Sequence, residues 1–589
     1  MDLYLIIVII MLALAVSGLV VGVANDAVNF LNSALGSKAA PRYVIMTVAS
    51  VGIIVGAITS NGMMEVARSG VFHPEMFTFA EVMLLFLAVM FTNVILLDIF
   101  NTLGMPTSTT VSLVFGLLGA AVGISIFKIA NDALVTLPDG SLATMADMIN
   151  TGNAMAIIGG ILISVVIAFV CGTVVMYITR LIFSFRYQSK LKSYGAVWCG
   201  IALTAISYFA VFKGLKGTQV IPADWMSWME GHIPMMLGGL LVGWSLIMSI
   251  LSMLKVNILR ITVLAGTFSL ALAFAGNDLV NFIGVFVAGV DAYDIVRTTG
   301  DTNMLMGGLN DPVVANLLIL FLSGAVMVVT LWFSKKAQSV SDTEINLARQ
   351  DVGVERFGST SASRAIVRAT INCNKNYEKY TPERIQRFIA SRFVPVANAK
   401  DKAPFDLIRA TVNLTVASLL ISMATSLQLP LSTTYVAFMV AMGSSLSDRA
   451  WGRESAVYRI TGVLTVIAGW FFTALVAFTV SFAVAVLLMW GGVFAVAGLS
   501  VLCCYLMIRS TKAHNRKLKR ETEKQAEHKA VTDESSIVDR SVREITEMMN
   551  KVTTIYNQTL IGLFNEDRKL LKNMVRESEA LYQVAHERK

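Results

Sequence analysis

Two aspartates lie where carboxylates are expensive. Asp26 and Asp278 each sit in a strongly apolar stretch, within the same local sequence, Asn-Asp-x-Val-Asn-Phe. The first copy is Asn25-Asp26-Ala27-Val28-Asn29-Phe30 and the second is Asn277-Asp278-Leu279-Val280-Asn281-Phe282. A carboxylate deep in a membrane span costs roughly 2.5–3.5 kcal/mol, so it normally faces a bundle interior or a cavity. A single such aspartate could equally cap a helix at the membrane surface; two in matching contexts argue against that. Asp and Asn oxygens suit a hard cation such as sodium. Asn25 and Asn29, like Asn277 and Asn281, are spaced i, i+4 and share one face if the helix continues. The helix could instead break, offering backbone carbonyls to a cation and N–H groups to an anion. Gly22 and Gly276, just before the motifs, would permit a break.

A second pair of elements carries hydroxyls: Pro106-Thr107-Ser108-Thr109-Thr110 and Pro430-Leu431-Ser432-Thr433-Thr434. Proline fits the first turn of a helix, and Ser or Thr caps its N-terminus. A helix start exposes unsatisfied N–H groups and roughly half a positive charge. With adjacent hydroxyls it becomes an anion site that needs no Lys or Arg. Ordinary capping and Ser/Thr packing between membrane helices is the competing explanation. It does not account for consecutive hydroxyls in both halves of the chain.

The elements that position these residues follow from hydropathy and charge. The 589 residues are 55% hydrophobic and only 15% charged, whereas soluble domains carry roughly 25% charge. Apolar runs repeatedly exceed the ~18 residues that mark a membrane span. Spans are expected near 3–24, 42–60, 82–102, 109–128, 155–182, 196–213, 233–254, 261–280, 313–334, 404–425, 432–447, 459–486 and 490–508. The start, Met1-Asp2-Leu3, lacks the basic region of a cleavable leader and reads as the first span. Basic residues gather at Lys38 and Arg42, at Arg180, Arg186, Lys190 and Lys192, at Lys255 and Arg260, and at Arg449, Arg453 and Arg459. The loops at 129–154 and 290–312 are acidic. The positive-inside rule then places the N-terminus outside and the C-terminus in the cytoplasm, in a multi-pass inner (plasma) membrane protein.

The two motif pairs recur in one order. Asn25 and Ser108 are 83 residues apart; Asn277 and Ser432 are 155 apart. The polar insertion at 335–402 nearly accounts for the difference. The loop after the first Asn-Asp motif is basic and that after the second is acidic, so the copies are oppositely oriented. The expected fold is all-α and polytopic, with two inverted-topology repeats, broken or re-entrant helices, about 12–13 transmembrane spans and cytoplasmic helical segments. Its parts are repeat 1 (1–187), repeat 2 (188–334 with 403–508), a cytoplasmic insert (335–402) and a cytoplasmic helical tail (509–589). Inverted repeats with polar, interrupted helices are the pattern of secondary transporters, with the site near the midplane.

Other function classes find little support. The net charge of +8 follows membrane topology and is no signal for nucleic acid. The five cysteines lack disulfide or zinc spacing. The five histidines are scattered, and no nucleophile–base or nucleotide-binding arrangement marks an enzyme. In the tail, Ile545, Met548, Val552, Ile555, Thr559 and Leu563 form a helical stripe, and a second amphipathic run covers Leu570 to Val584. Such helices must pair with each other, with 335–402, or with another subunit in a homodimer.

At its four motifs the chain resembles the inorganic phosphate transporter (PiT) family, which carries a Gly-Ala-Asn-Asp-Val-Ala-Asn signature and a Pro-x-Ser-Thr-Thr element in each half. The tail is weakly similar to a PhoU-like helical domain. The resemblance implies a symporter for inorganic phosphate, with sodium, or alternatively protons, as coupling ions and no other cofactor. It implies cation and phosphate binding at Asp26, Asn29, Asp278 and Asn281, and phosphate binding at Ser108, Thr109, Thr110, Ser432, Thr433 and Thr434; Asn25 and Asn277 are added as substrate-binding residues for the amide oxygens and donors they bring to the same motifs. The sequence departs from the signature where Gly276 directly precedes Asn277, where Val28 and Val280 replace Ala, and where Phe30 and Phe282 add bulk. The alternatives are the same carrier moving another oxyanion such as sulfate, or a phosphate-binding sensor signalling through its cytoplasmic helices.

Overall fold

The computed structural model describes residues 2–103, 107–137, 141–209, 223–298, 300–311, 315–334, 360–365, 367–369, 372, 381–394, 403–448, 453–529 and 534–587. Among the described residues the chain is nearly all helix, and strand-like pairing is confined to isolated bridges such as Phe72 with Ile149 and Thr78 with Leu305. The principal helices are α1 (Asp2–Asp26), α2 (Val28–Gly36), α3 (Arg42–Ile58), α4 (Phe79–Leu103), α5 (Thr109–Ala130), α6 (Thr151–Phe183) and α7 (Gln188–Ile206). They continue with α8 (Ile233–Met253), α9 (Ile258–Leu279), α10 (Val285–Arg297), α11 (Leu317–Phe333), α12 (Glu383–Arg392), α13 (Leu407–Ser426), α14 (Thr433–Ser447), α15 (Arg453–Lys529), α16 (Glu534–Phe564) and α17 (Arg568–Glu587).

Every expected span coincides with one of these helices over its described residues; the end of the span 196–213 lies outside the described residues. Among the described residues eight helical stretches are long and apolar enough to cross a membrane, and α3 and α11 are shorter apolar helices. Two expected spans, 459–486 and 490–508, lie within the single stretch α15, whose backbone leaves helical geometry at Gly492 (φ 50°, ψ −131°). A side chain there would be strained, so glycine is what lets the chain change direction. α6 and α8 expose Ile163, Val166, Val242 and Leu246, as lipid-facing helices do. α9 is buried along almost its whole length and forms the centre of the bundle.

Glycines bring backbones together around the site. A Cβ on Gly52 or Gly56 of α3 would stand 2.5 or 2.3 Å from the carbonyls of Phe268 and Leu272 on α9. Gly119 of α5 meets the Phe478 carbonyl of α15 in the same way, and Gly443 of α14 meets the Phe169 carbonyl of α6 (2.2 and 2.3 Å). Gly119 and Gly443 occupy the same position relative to Ser108 and Ser432. The helix behind each hydroxyl-bearing tip is therefore docked alike on a long neighbour.

The chain forms two compact units, Met1–Met507 and Ile508–Lys589. Most of the insert at 335–402 lies outside the described residues. Its described part includes the helix α12, and Phe393 just beyond stacks on Tyr177 of α6 with ring centroids 5.6 Å apart. In the second unit α16 and α17 pack on each other, with Gly562 under Leu571 and Met574 buried. The apolar stripe of α16 is thereby split: Met548, Ile555 and Thr559 are partly covered, whereas Ile545, Val552 and Leu563 stay exposed.

Candidate functional site

The two Asn-Asp motifs end α1 and α9. The helices do not break at the glycines. α1 is interrupted only at Ala27, which keeps helical angles (φ −56°, ψ −28°), and α9 passes into a π-helical turn at Val280–Gly284. Such turns widen a helix by one residue and recur at functional sites. Gly22 has a different purpose from the break that the sequence allows: a Cβ there would lie 2.0 Å from the ring of Phe282. Glycine thus seats the aromatic ring of the opposite motif. The corresponding Phe30 packs on Phe274, with centroids 5.1 Å apart. A Cβ on Gly276 would only touch the Gly56 carbonyl of α3, at an ordinary contact distance of 3.9 Å.

The two hydroxyl elements begin α5 and α14. Ser108 accepts from the Val111 N–H at 3.2 Å, and Ser432 accepts from the Tyr435 N–H at 3.3 Å. For these two serines the capping explanation is what the geometry shows. Asn25 and Asn277 likewise hold the helix tips. Asn25 donates to the Thr107 carbonyl at 3.1 Å, and Asn277 donates to the Leu431 carbonyl at 2.7 Å.

The four threonines then join the halves. Thr109 donates to Asp26 at 3.1 Å, and Thr433 donates to Asp278, each within its own half of the chain. The next threonine in each element crosses over: Thr434 donates to Asp26 at 2.9 Å and Thr110 to Asp278 at 3.4 Å. Adjacent residues stand about 3.8 Å apart at Cα, so paired threonines on one helix tip place the two carboxylates side by side. Asn29 bonds Thr434 at 3.0 Å, and Asn281 bonds Thr110 at 3.0 Å and Asp278 at 3.0 Å. All twelve sequence-selected residues come together, and each is no more than 6% exposed.

Two features bear on what the site can hold. Neither Asp26 nor Asp278 forms an ion pair among the described residues. The side-chain oxygens of Asn29 and Asn281, at equivalent positions, have no hydrogen-bond partner among the described residues. Buried acceptors without donors normally carry an energetic penalty of about 1–3 kcal/mol. A cation, or a hydroxyl of a bound ligand, would satisfy them. Each of these asparagines also borders a cavity: Asn281 with Asn93 and Met90, and Asn29 with Asn32 and Phe438.

Sequence reasoning missed several residues, some beside the site and some at the far ends of its helices. The Thr107 hydroxyl pairs with Thr473 of α15 at 3.1 Å, and Ser112 donates to Asn93 at 2.5 Å. Arg180 counts in the sequence as one of a group of basic loop residues, yet it is fully buried. It binds Asp448 at 2.6 Å and Asp406 at 2.7 Å, tying the end of α6 to the end of α14 and the start of α13. Lys128 is buried similarly against Glu81 at 2.8 Å. A single positive residue beside an apolar run gives no sign of a distant acidic partner.

Comparison with known proteins fits this arrangement. The model of the phosphate transporter family matches residues 22–337. The Thermococcus kodakarensis protein named "Putative phosphate permease TK2061" is 25% identical over 200 residues, which is 33% of this chain and 45% of that protein. The matched stretch thus spans about half the length of that relative. A solved structure titled "The sodium-dependent phosphate transporter" superposes with a TM-score of 0.56 at 17% identity, covering 81% of this chain and 98% of that one. At that identity the likeness is one of fold. With more than half of its length matched by the family model, the chain belongs to the phosphate transporter family.

Proposed function

We propose that the chain is a secondary active carrier of inorganic phosphate, coupled to sodium ions and working by alternating access. The observation that carries this reading is the pair of buried carboxylates, bridged by threonine hydroxyls from two helix tips and without a cationic partner among the described residues. The helix starts and the Ser108 and Ser432 hydroxyls supply neutral donors to an oxyanion, while the threonine hydroxyls hold the carboxylates. Asp26 and Asp278, with the free oxygens of Asn29 and Asn281, supply hard oxygen ligands to cations. Phosphate carries one to two negative charges near neutrality and the aspartates add two more. Such a total needs at least two accompanying cations in a low-dielectric site. Sodium is preferred to protons because the arrangement offers oxygen ligands from both halves.

The equivalent contacts made by the two motif copies support two inverted repeats meeting at one site, which is the architecture that alternating access uses. In this reading the N-terminus faces outward and the C-terminus the cytoplasm of a plasma-membrane protein. Proteoliposomes loaded against labelled phosphate test it. Uptake should follow an inward sodium gradient, and sulfate should not compete. Binding without translocation would overturn the carrier in favour of a sensor, and a proton gradient sufficing without sodium would overturn the choice of ion.

A further inference from the structure

The two hydroxyl elements cap their helices and bridge the aspartates alike, but the residue that follows each Ser-Thr-Thr differs. The first half has Val111 there and the second has Tyr435. Tyr435 stands in the first turn of α14, directly after Thr434, and is 1% exposed. Its ring is stacked on Trp470 of α15, with centroids 3.6 Å apart and planes at 23°. Its hydroxyl lies near Ser108, the cap of α5, and near Asp26. It therefore reaches from the tip of one hydroxyl-bearing helix to the tip of the other. The hydroxyl nevertheless completes no hydrogen bond among the described residues. A fully buried phenol normally finds a partner, because leaving the group unmade carries a penalty of about 1–3 kcal/mol.

We propose that Tyr435 is a substrate-binding residue whose phenol donates a hydrogen bond to one oxygen of the bound oxyanion, with Trp470 fixing the direction of that donor. This rests on the phosphate reading above. The stack holds the ring before ligand arrives, so the donor is preorganised and adds affinity without having to be ordered on binding. It also makes a pseudo-symmetric site asymmetric. One donor comes from the second half alone, so a tetrahedral anion has a preferred orientation in the chamber.

The test uses the full chain carrying Tyr435→Phe, which keeps the ring and its stack. Phosphate binding is titrated in detergent at saturating sodium, and labelled phosphate uptake is measured in proteoliposomes. The dissociation constant and KM should each rise about tenfold, the loss of one charge-assisted hydrogen bond. Maximal rate, the sodium dependence and the melting temperature without phosphate should stay unchanged. Trp470→Leu, which frees the ring but leaves the hydroxyl, should raise KM by a smaller factor, and Trp470→Phe should restore it. Unchanged phosphate affinity in Tyr435→Phe would overturn the assignment, as would a shift confined to sodium affinity. Failure of the unsubstituted protein to bind phosphate would overturn the phosphate reading and this inference together.

Discussion

Asn29, from the first half of the chain, donates its side-chain amide to the hydroxyl of Thr434, from the second, at 3.0 Å. The same hydroxyl donates onward to Asp26 at 2.9 Å. One threonine thus closes a chain of hydrogen bonds across the interface between the halves. Thr434→Val should break both links and leave a buried amide and a carboxylate short of a partner. The expected loss is about 2–3 kcal/mol of stability, with a fall in phosphate uptake of tenfold or more. Thr434→Ser keeps the hydroxyl and should recover most of both. Melting in detergent and uptake in proteoliposomes measure the two effects.

Removing a carboxylate should separate stability from function. Asp26→Asn and Asp278→Asn preserve shape and can still accept from the threonine hydroxyls, while deleting an unpaired buried charge. Each variant should abolish sodium-driven uptake yet melt at the same or a higher temperature than the parent in the absence of substrate. A large loss of melting temperature in both would show that the aspartates serve the fold.

Gly22→Ala places a methyl group 2.0 Å from the ring of Phe282. Overpacking of this kind costs about 1–3 kcal/mol. Expression and thermal stability should fall, and pairing the change with Phe282→Leu should restore them. If Gly22 mattered only for backbone freedom, the second substitution would bring no recovery.

The buried Arg180 holds two acidic groups, Asp406 and Asp448, through contacts at 2.7 and 2.6 Å. Arg180→Met should destabilise the protein by about 3–5 kcal/mol, because it strands two carboxylates away from water. The triple variant with Asp406→Asn and Asp448→Asn should regain most of that loss. Chemical denaturation in mild detergent reads the difference.

Much of this architecture is legible in the residues themselves. Asp26 and Asp278 are visible because a charge in an apolar stretch needs a reason, and the hydroxyl elements because they repeat. What the sequence leaves open is how each polar atom is used. Ser108 and Thr109 are neighbours of similar chemistry, yet one caps a helix and the other holds a carboxylate; only backbone direction separates them. Gly22 reads as a point of flexibility but is a seat for a ring more than 250 residues away in sequence. Tyr435 lies beside a recognised motif and stays unremarked, since a tyrosine in an apolar helix gives no sign of an unpartnered hydroxyl. Arg180 is hidden for a related reason: its acidic partners come from elements far along the chain.

The backbone contacts at Gly119 and Gly443 also constrain how the molecule can rearrange. Carbonyl oxygens pressed against a glycine leave no slack for sliding, so α5 should travel with the α15 segment around Phe478, and α14 with α6, as two stiff couples. Spin labels placed within one couple should report a fixed separation throughout the cycle. Labels placed one on each couple should swing between two distances as the chamber exchanges the side it faces.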